Sequence, residues 1–247
     1  MRAFDLALRG RVATRAPTPH GCAFRFSEPA FWDLNFVYVE RPAAATAELV
    51  ADADAALAGL AHRMLIVDEP ADVTRLAADL ARAGWTIERH VAMVAGAVPA
   101  DRTPRQAARE VPAPDIVLPR RAATREDGFD EATLAAIEVA DLVVGRAMSE
   151  RAFASTAPDG TIASMAKLYT DGAIGQIEDV QTRHAYRGRG HAQAVVLAAL
   201  EASRRAGHDL TFLWADEDDW PRELYRRLGF AVLGRRWRFR RAVAVSR

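Results

Sequence analysis

Apolar positions in this chain recur at two spacings, and the alternation between them lays out an α/β order. Residues 46–61 place Leu49, Ala53, Ala56, Leu57 and Leu60 on one helical stripe. A short apolar run at 62–67 reads as a strand, 72–83 as a second helix stopped by Gly84, and 85–94 as a strand. Further on, Leu134, Ile137, Ala140, Asp141 and Val144 follow the turn period, predicting a long helix that runs from an N-cap at Thr124 or Asp127 through Ala147. Residues 161–168 and 174–182 read as an antiparallel pair joined by Asp171-Gly172, a hairpin signal. Val195, Val196, Ala199 and Leu200 give a helix over 191–206 with Gly207 just past its end. A strand at 210–215, an acidic turn at 216–219, a short helix over 221–228 opened by Pro221, and a strand from Phe230 complete the order. The tail alternates Arg236, Trp237, Arg238, Phe239 and Arg240, which suits a strand with one apolar face.

Between these elements the pattern is weaker. Pro17, Pro19 and Gly21 punctuate an irregular lead-in, and 31–40 ends in a strand. Five prolines, with Asp101, Arg102, Arg105, Arg109 and Glu110, fall within 99–119 and mark a linker with a helical turn around Gln106. The expected division is a smaller N-terminal α/β unit at 1–100, a linker at 101–114 and a second unit at 115–247. The second unit is expected to open with a strand at 116–120 and to carry a loop at 149–160 placed to touch a substrate.

Composition narrows the function classes. Lys plus Arg and Asp plus Glu both total 33, so the formal net charge is zero and nothing global favours nucleic acid or an anionic membrane. The arginine and aromatic alternation in the tail is therefore read as a sheet strand, with no nucleic-acid partner. Lys167 is the only lysine. Cys22 stands alone, which excludes an intrachain disulfide framework and suits a reducing cytoplasm. The N-terminal residues lack a signal-peptide core, and no apolar run reaches membrane-spanning length. The expectation is a soluble cytoplasmic protein without a membrane partner.

The chemistry concentrates in 177–192, Ile-Glu-Asp-Val-Gln-Thr-Arg-His-Ala-Tyr-Arg-Gly-Arg-Gly-His-Ala. A strand passes through a basic glycine turn into a helix whose first N–H groups and positive dipole end favour an anion. A Walker loop is excluded because Gly-Lys-Ser/Thr is missing, and a dinucleotide fingerprint because Gln193 stands three residues after Gly190. Arg187-x-x-Gly190-x-Ala192, preceded by Val180-x-Thr182, resembles the acyl-CoA signature of the GNAT N-acetyltransferase superfamily. Asp218-x-x-Pro221-x-x-Leu224-Tyr225-Arg226-Arg227-Leu228-Gly229-Phe230 is similar to that family's Asn-x-x-Ala-x-x-Leu-Tyr-x-x-x-Gly-Phe, departing from it at Asp218 and Pro221. The resemblance covers roughly 115–245.

The resemblance implies an α/β (α+β) GNAT fold, a mixed, mostly antiparallel sheet flanked by helices. The order of elements in the N-terminal unit echoes 191–232, so that unit reads as a degenerate GNAT-like half without a cradle. The implied activity is transfer of an acetyl group from acetyl-CoA directly to a small-molecule or peptide amine in a ternary complex, without a metal. Cofactor contacts carry over to Val180, Gln181, Thr182, Arg187, Gly188, Arg189, Gly190, His191, Ala192, Asp218 and Tyr225. Tyr225 aligns with the tyrosine that protonates the CoA sulfur. Of Glu178 and Asp179 only one can face the amine, and Glu178 shares the side of Val180 and Thr182, so it is favoured as base. His184 stands where many relatives have proline and is poorly placed as a base. Asn35, Glu40 and His62 could line a cleft in the N-terminal unit, although structural roles suit them better. The reading from another class is a non-catalytic acyl-CoA-binding sensor. A monomer or homodimer is expected.

Overall fold

A computed structural model describes residues 2–68, 73–99 and 103–244. The expected helix start at Asp72 and the linker residues Asp101 and Arg102 lie outside the described residues. The chain divides into two compact units, one from the described residues of 2–92, 216–218 and 234–244, the other from those of 93–215 and 219–233. Each unit is thus assembled from separated stretches, so no single cut in the chain divides them.

The first unit contains α1 (Arg2–Val12), the hairpin of β1 (Thr14–Thr18) and β2 (Gly21–Arg25), β3 (Phe36–Val39), α2 (Thr46–Ala56), β4 (His62–Asp68), α3 (Val73–Arg82) and most of β5 (Thr86–Ala95). The lead-in expected to be irregular is thus a helix and a hairpin. β1–β2 and β2–β3 are antiparallel and β3–β4 is parallel. The tail strand β11 (Phe230–Ala242) runs antiparallel to β4, with Arg236 opposite Asp68 and Ala242 opposite His62. Its alternation works as the sequence implies. Phe239 is buried with Leu49, Leu65, Leu76 and Leu80, and Trp237 packs against that cluster. Arg236, buried on the other face, donates to Asp5 of α1 and to Asp68 of β4, at 2.6 Å for the latter.

The second unit carries the candidate chemistry. Its elements are β6 (Arg109–Val111), α4 (Val117–Glu126), α5 (Glu131–Ala147), β7 (Ser149–Thr156), β8 (Ile162–Asp171), β9 (Ile174–Thr182), α6 (His191–Arg205), β10 (Leu210–Asp216) and α7 (Pro221–Arg227). The sheet order is β10-β9-β8-β7-β6, parallel between β9 and β10 and antiparallel elsewhere. α6 packs across β7, β8 and β9. The fold class is the mixed, mostly antiparallel sheet flanked by helices that the resemblance implies.

Three expectations in this unit are corrected. Residues 116–120 form no strand: a 3-10 turn at Ala113–Ile116 leads into α4, and Pro119 is tolerated because it sits in the first helical turn. The long helix begins at Glu131, capped by Asp130, whose side chain accepts from the Thr133 N–H at 2.8 Å. Residues 149–156 are strand β7, so the expected loop shrinks to the turn that follows. Ala152, Phe153, Ala154 and Ser155 are all buried, so the strand shows no alternation. The proline-rich stretch is also more than a connector, because Arg109–Val111 pairs with β7, Arg109 opposite Ala154.

Candidate active site

The site begins with an irregularity in β9. Lys167 of β8 is opposite Glu178, but Met165 is opposite Gln181, so β9 holds one residue too many. That is a β-bulge, which takes backbone groups out of the ladder and turns the strand. Asp179 sits in it with φ 52°, the only non-glycine residue with positive φ among those described. Aspartate tolerates this region better than most residues, at a cost of about 1–2 kcal/mol. Tertiary contacts hold it there. The Asp179 carboxylate lies 3.0 Å from the Arg120 guanidinium of α4 and 3.3 Å from the Lys167 ammonium of β8. Lys167, 4% exposed, also lies 3.3 Å from Asp141 and 3.8 Å from Glu150, and Arg120 donates to Asp141. Burial pushes the Asp179 carboxyl up, but Arg120 and then Lys167 outweigh it, and its pKa falls below the ordinary carboxylate value. A carboxylate held this firmly as an anion is a poor base.

The bulge also breaks the alternation by which Glu178 was grouped with Val180 and Thr182. Glu178 differs from Asp179 in its neighbours. Tyr225 of α7 is buried, and its pKa is raised first by burial, then by the Glu178 carboxylate, then by Asp219. Glu178 and Tyr225 are therefore electrostatic neighbours, while Asp179 is committed to Arg120 and Lys167. Gln176 Nε2 donates to Glu178, and the Tyr225 ring lies 6.1 Å from that of Phe230.

Beyond β9 the chain turns through Gly188 (φ 76°) and Gly190 (φ 92°) into α6, with Gly190 as the N-cap. Positive φ at both positions is what glycine supplies without strain. Arg187 Nε donates to the Thr182 carbonyl at 3.1 Å and its terminal nitrogen to Asp127 at 2.6 Å, fixing the entry to the turn. Asp127 also holds His184 Nε2 at 2.9 Å. His191 is buried and its Nδ1 is 2.9 Å from Ser155 Oγ of β7. Burial, and then Arg189, depress its pKa, so the ring is neutral near pH 7.

A cleft of about 360 Å³ opens at this turn. Of the candidates, Thr182, Arg187, Gly188, Gly190, His191 and Ala192 line it. Val180, Gln181, Arg189 and Tyr225 do not, nor do Glu178 and Asp179. The Gln181 side chain donates to Thr124 Oγ1 at 3.2 Å, and the Arg189 guanidinium lies 5.8 Å from the centre of the Tyr186 ring. Asp218 is also elsewhere, its two oxygens 2.6 and 2.7 Å from an Arg89 nitrogen in the first unit. Thr103, Arg105, Trp220, Leu224 and Arg227 line the cleft without having been singled out for it. For Leu224 and Arg227 a signal existed, because both fall inside the second motif. For Arg105 there was none beyond its charge. The lining holds three arginines and, among the described residues, no carboxylate.

The N-terminal candidates have structural roles. Asn35 is fully buried, accepting from the Phe26 N–H at 2.9 Å and donating to the Glu28 and Phe31 carbonyls. His62 is buried with Nε2 2.8 Å from the Asn35 carbonyl. Glu40 pairs loosely with Arg2 at 3.6 Å, and Cys22 is buried.

Residues 158–239 match the family model described as FR47-like protein. Among solved structures, a functionally unknown conserved protein from Staphylococcus epidermidis ATCC 12228 superposes with a TM-score of 0.75 at 10% identity, covering 94% of this chain and 95% of that one. A GCN5-related N-acetyltransferase from Kribbella flavida gives 0.67 at 18% identity, over 98% and 94%. This is a GNAT fold. A tandem GNAT protein from the clavulanic acid biosynthesis pathway shares it with a TM-score of 0.59 at 16% identity, over 98% of this chain and 88% of that one. Among curated protein sequences none matches. Within the GNAT fold seen here, no group of three or more His, Cys, Asp or Glu among the described residues is placed to hold a metal ion. No described helix is long and apolar enough to cross a membrane.

Proposed function

We propose that this GNAT protein is an N-acetyltransferase that moves an acetyl group from acetyl-CoA directly to an amine in a ternary complex. The observation that carries the reading is the run β9-α6-β10-α7 in one unit, which supplies a bulged strand, an arginine-lined cleft and a tyrosine beside a carboxylate. The cleft fits a polyphosphate: three arginines and no carboxylate line it among the described residues, Asp127 and Glu223 pairing with Arg187 and Arg227 from outside the lining, and its turn presents the start of α6. Arg187 and the backbone of Gly188 to Ala192 would hold the pyrophosphate. The bulge frees backbone groups near Val180, where a strand-like pantetheine arm and the thioester oxygen need donors.

Acetyl-CoA supplies the activated acetyl group. Transfer forms an N–C bond and breaks the C–S bond, so the amine must lose a proton and the sulfur gain one. Glu178 takes the amine proton, directly or through a water. Tyr225, whose raised pKa keeps it protonated throughout the physiological range, gives its proton to the sulfur. Coverage of nearly the whole chain by a tandem GNAT protein supports reading the first unit as a degenerate GNAT-like half. The test is thiol release from acetyl-CoA across a panel of small and peptide amines, run beside CoA-dependent thermal stabilisation. Turnover with any acceptor supports the reading. Stabilisation without turnover makes the protein an acyl-CoA-binding sensor, and neither response refutes both.

A further inference from the structure

The cleft has a wall that comes from outside the run β9 to α7. Residues 103–108, the proline-rich stretch before β6, lie along the start of α6. Gln106 Nε2 donates to the Arg189 carbonyl at 3.2 Å, and Ser155 Oγ, which also meets His191, donates to the Ala107 carbonyl at 2.7 Å. A Cβ placed on Gly190 would meet Arg105 Cβ at 3.4 Å and Gln106 Cγ at 3.9 Å. Downstream the stretch is anchored by the pairing of β6 with β7 and by Glu110, whose oxygens take Arg151 at 2.6 and 2.9 Å. It is therefore a strap fixed to the cradle at several points.

The strap brings Thr103 and the exposed Arg105 into the cleft beside Arg187 and Arg227. Arg187 already shares its charge with Asp127 and Arg227 pairs with Glu223 at 3.8 Å, whereas Arg105 adds a guanidinium to a lining that, among the described residues, contains no acid. Like charges gathered in a concave site raise each other's energy, and an anion relieves that energy. The anion proposed above is not a single phosphate, because CoA carries a pyrophosphate and a separate ribose 3′-phosphate. One glycine turn and Arg187 serve only part of that charge.

We infer that Arg105, carried by the strap, is a phosphate-binding residue of the donor site, so that the linker is part of the cofactor pocket. This rests on the acetyl-CoA reading and deepens it. The strap's contacts fix the backbone that carries Arg105 before the donor arrives, so only its side chain remains to be ordered.

The test measures CoA and 3′-dephospho-CoA affinities by calorimetry for the wild type, Arg105→Ala and Arg105→Lys, with thermal melts of the same samples without ligand. Arg105 is exposed, so the ligand-free melts should coincide. Loss of one charge-assisted contact predicts about tenfold or more weaker CoA binding in the Ala variant, with partial recovery in Lys. A loss confined to CoA assigns Arg105 to the 3′-phosphate, and an equal loss with both ligands assigns it to the pyrophosphate. The affinity gap should also shrink at high salt. Wild-type CoA affinity in a folded Ala variant overturns the inference and leaves the acetyl-CoA reading intact. A wild-type protein that binds neither ligand overturns that reading itself.

Discussion

Replacing Lys167 with Met removes the ammonium from a buried cluster and leaves Asp141, Asp179 and Glu150 with less compensation. At an effective dielectric of about 20, one contact at 3.3 Å is worth about 5 kcal/mol before solvation is counted. Most of that is offset by the cost of burying Lys167, which the Met variant recovers. Breaking a buried pair by removing one partner costs about 3–5 kcal/mol net. Asp141 and Asp179 are 26% and 24% exposed, so water screens part of the loss. The expected deficit at pH 7 is therefore about 2–3 kcal/mol, or a fall of about 5–10 °C in the melting of that unit. The sign with pH is fixed by Asp179. Its folded pKa lies below the ordinary value of 3.8, so its ion pairs stabilise fully above that value and are lost as pH falls through the folded pKa. Thermal melts followed by circular dichroism, taken from pH 7 down through the acid limb below 3.8, should show the gap between wild type and Lys167→Met narrowing in acid. An unchanged melt at pH 7, or a deficit that stays constant down the acid limb to the pH of unfolding, would refute the claim that ion pairs hold the bulge.

Tyr225→Phe keeps the ring against Phe230 and removes only the hydroxyl, so kcat for an acceptor found in the panel should fall about 100-fold with CoA affinity unchanged. A wild-type kcat in a folded variant would take Tyr225 out of the mechanism. Gly229→Ala should destabilise by more than about 3 kcal/mol, because φ is 87° and the new Cβ would lie 2.3 Å from the Ala97 carbonyl oxygen. A melt within 2 °C or so of wild type would show that the turn yields more easily than the packing implies.

The elements around the site were legible in the sequence wherever one local signal dominated. Asp171-Gly172 marks the turn between β8 and β9, the apolar stripe of α6 ends before Gly207, and Pro221 opens α7. Signals failed where burial or tertiary contact decides. β7 is buried on both faces around Phe153, so its period is hidden. The apolar run Ile116-Val117-Leu118 looks like a strand, but only Ile116 is buried, with Val111, Ala152 and Met165, while Val117 and Leu118 are exposed at the start of α4. The bulge could not be read, because Asp179 owes its conformation to Arg120, nearly 60 residues away in sequence, as well as to Lys167. For the same reason the alternation that favoured Glu178 over Asp179 rests on a premise that the bulge removes. Arg105 shows the same limit, since only the folded strap carries it to Gly190.

The burial of Lys167 also changes what can be measured on this protein. It is the one lysine in the chain, and it is nearly inaccessible and held by three carboxylates. A charged, enclosed amine is a weak nucleophile, so the surface offers acylating reagents no lysine side chain. Acetyl-lysine found by mass spectrometry after incubation with acetyl-CoA and a peptide would therefore report the peptide, with almost no background from the protein itself. Amine-reactive dyes would likewise leave the folded protein's side chains unlabelled until unfolding exposes Lys167, which makes dye incorporation a direct reporter of opening at β8.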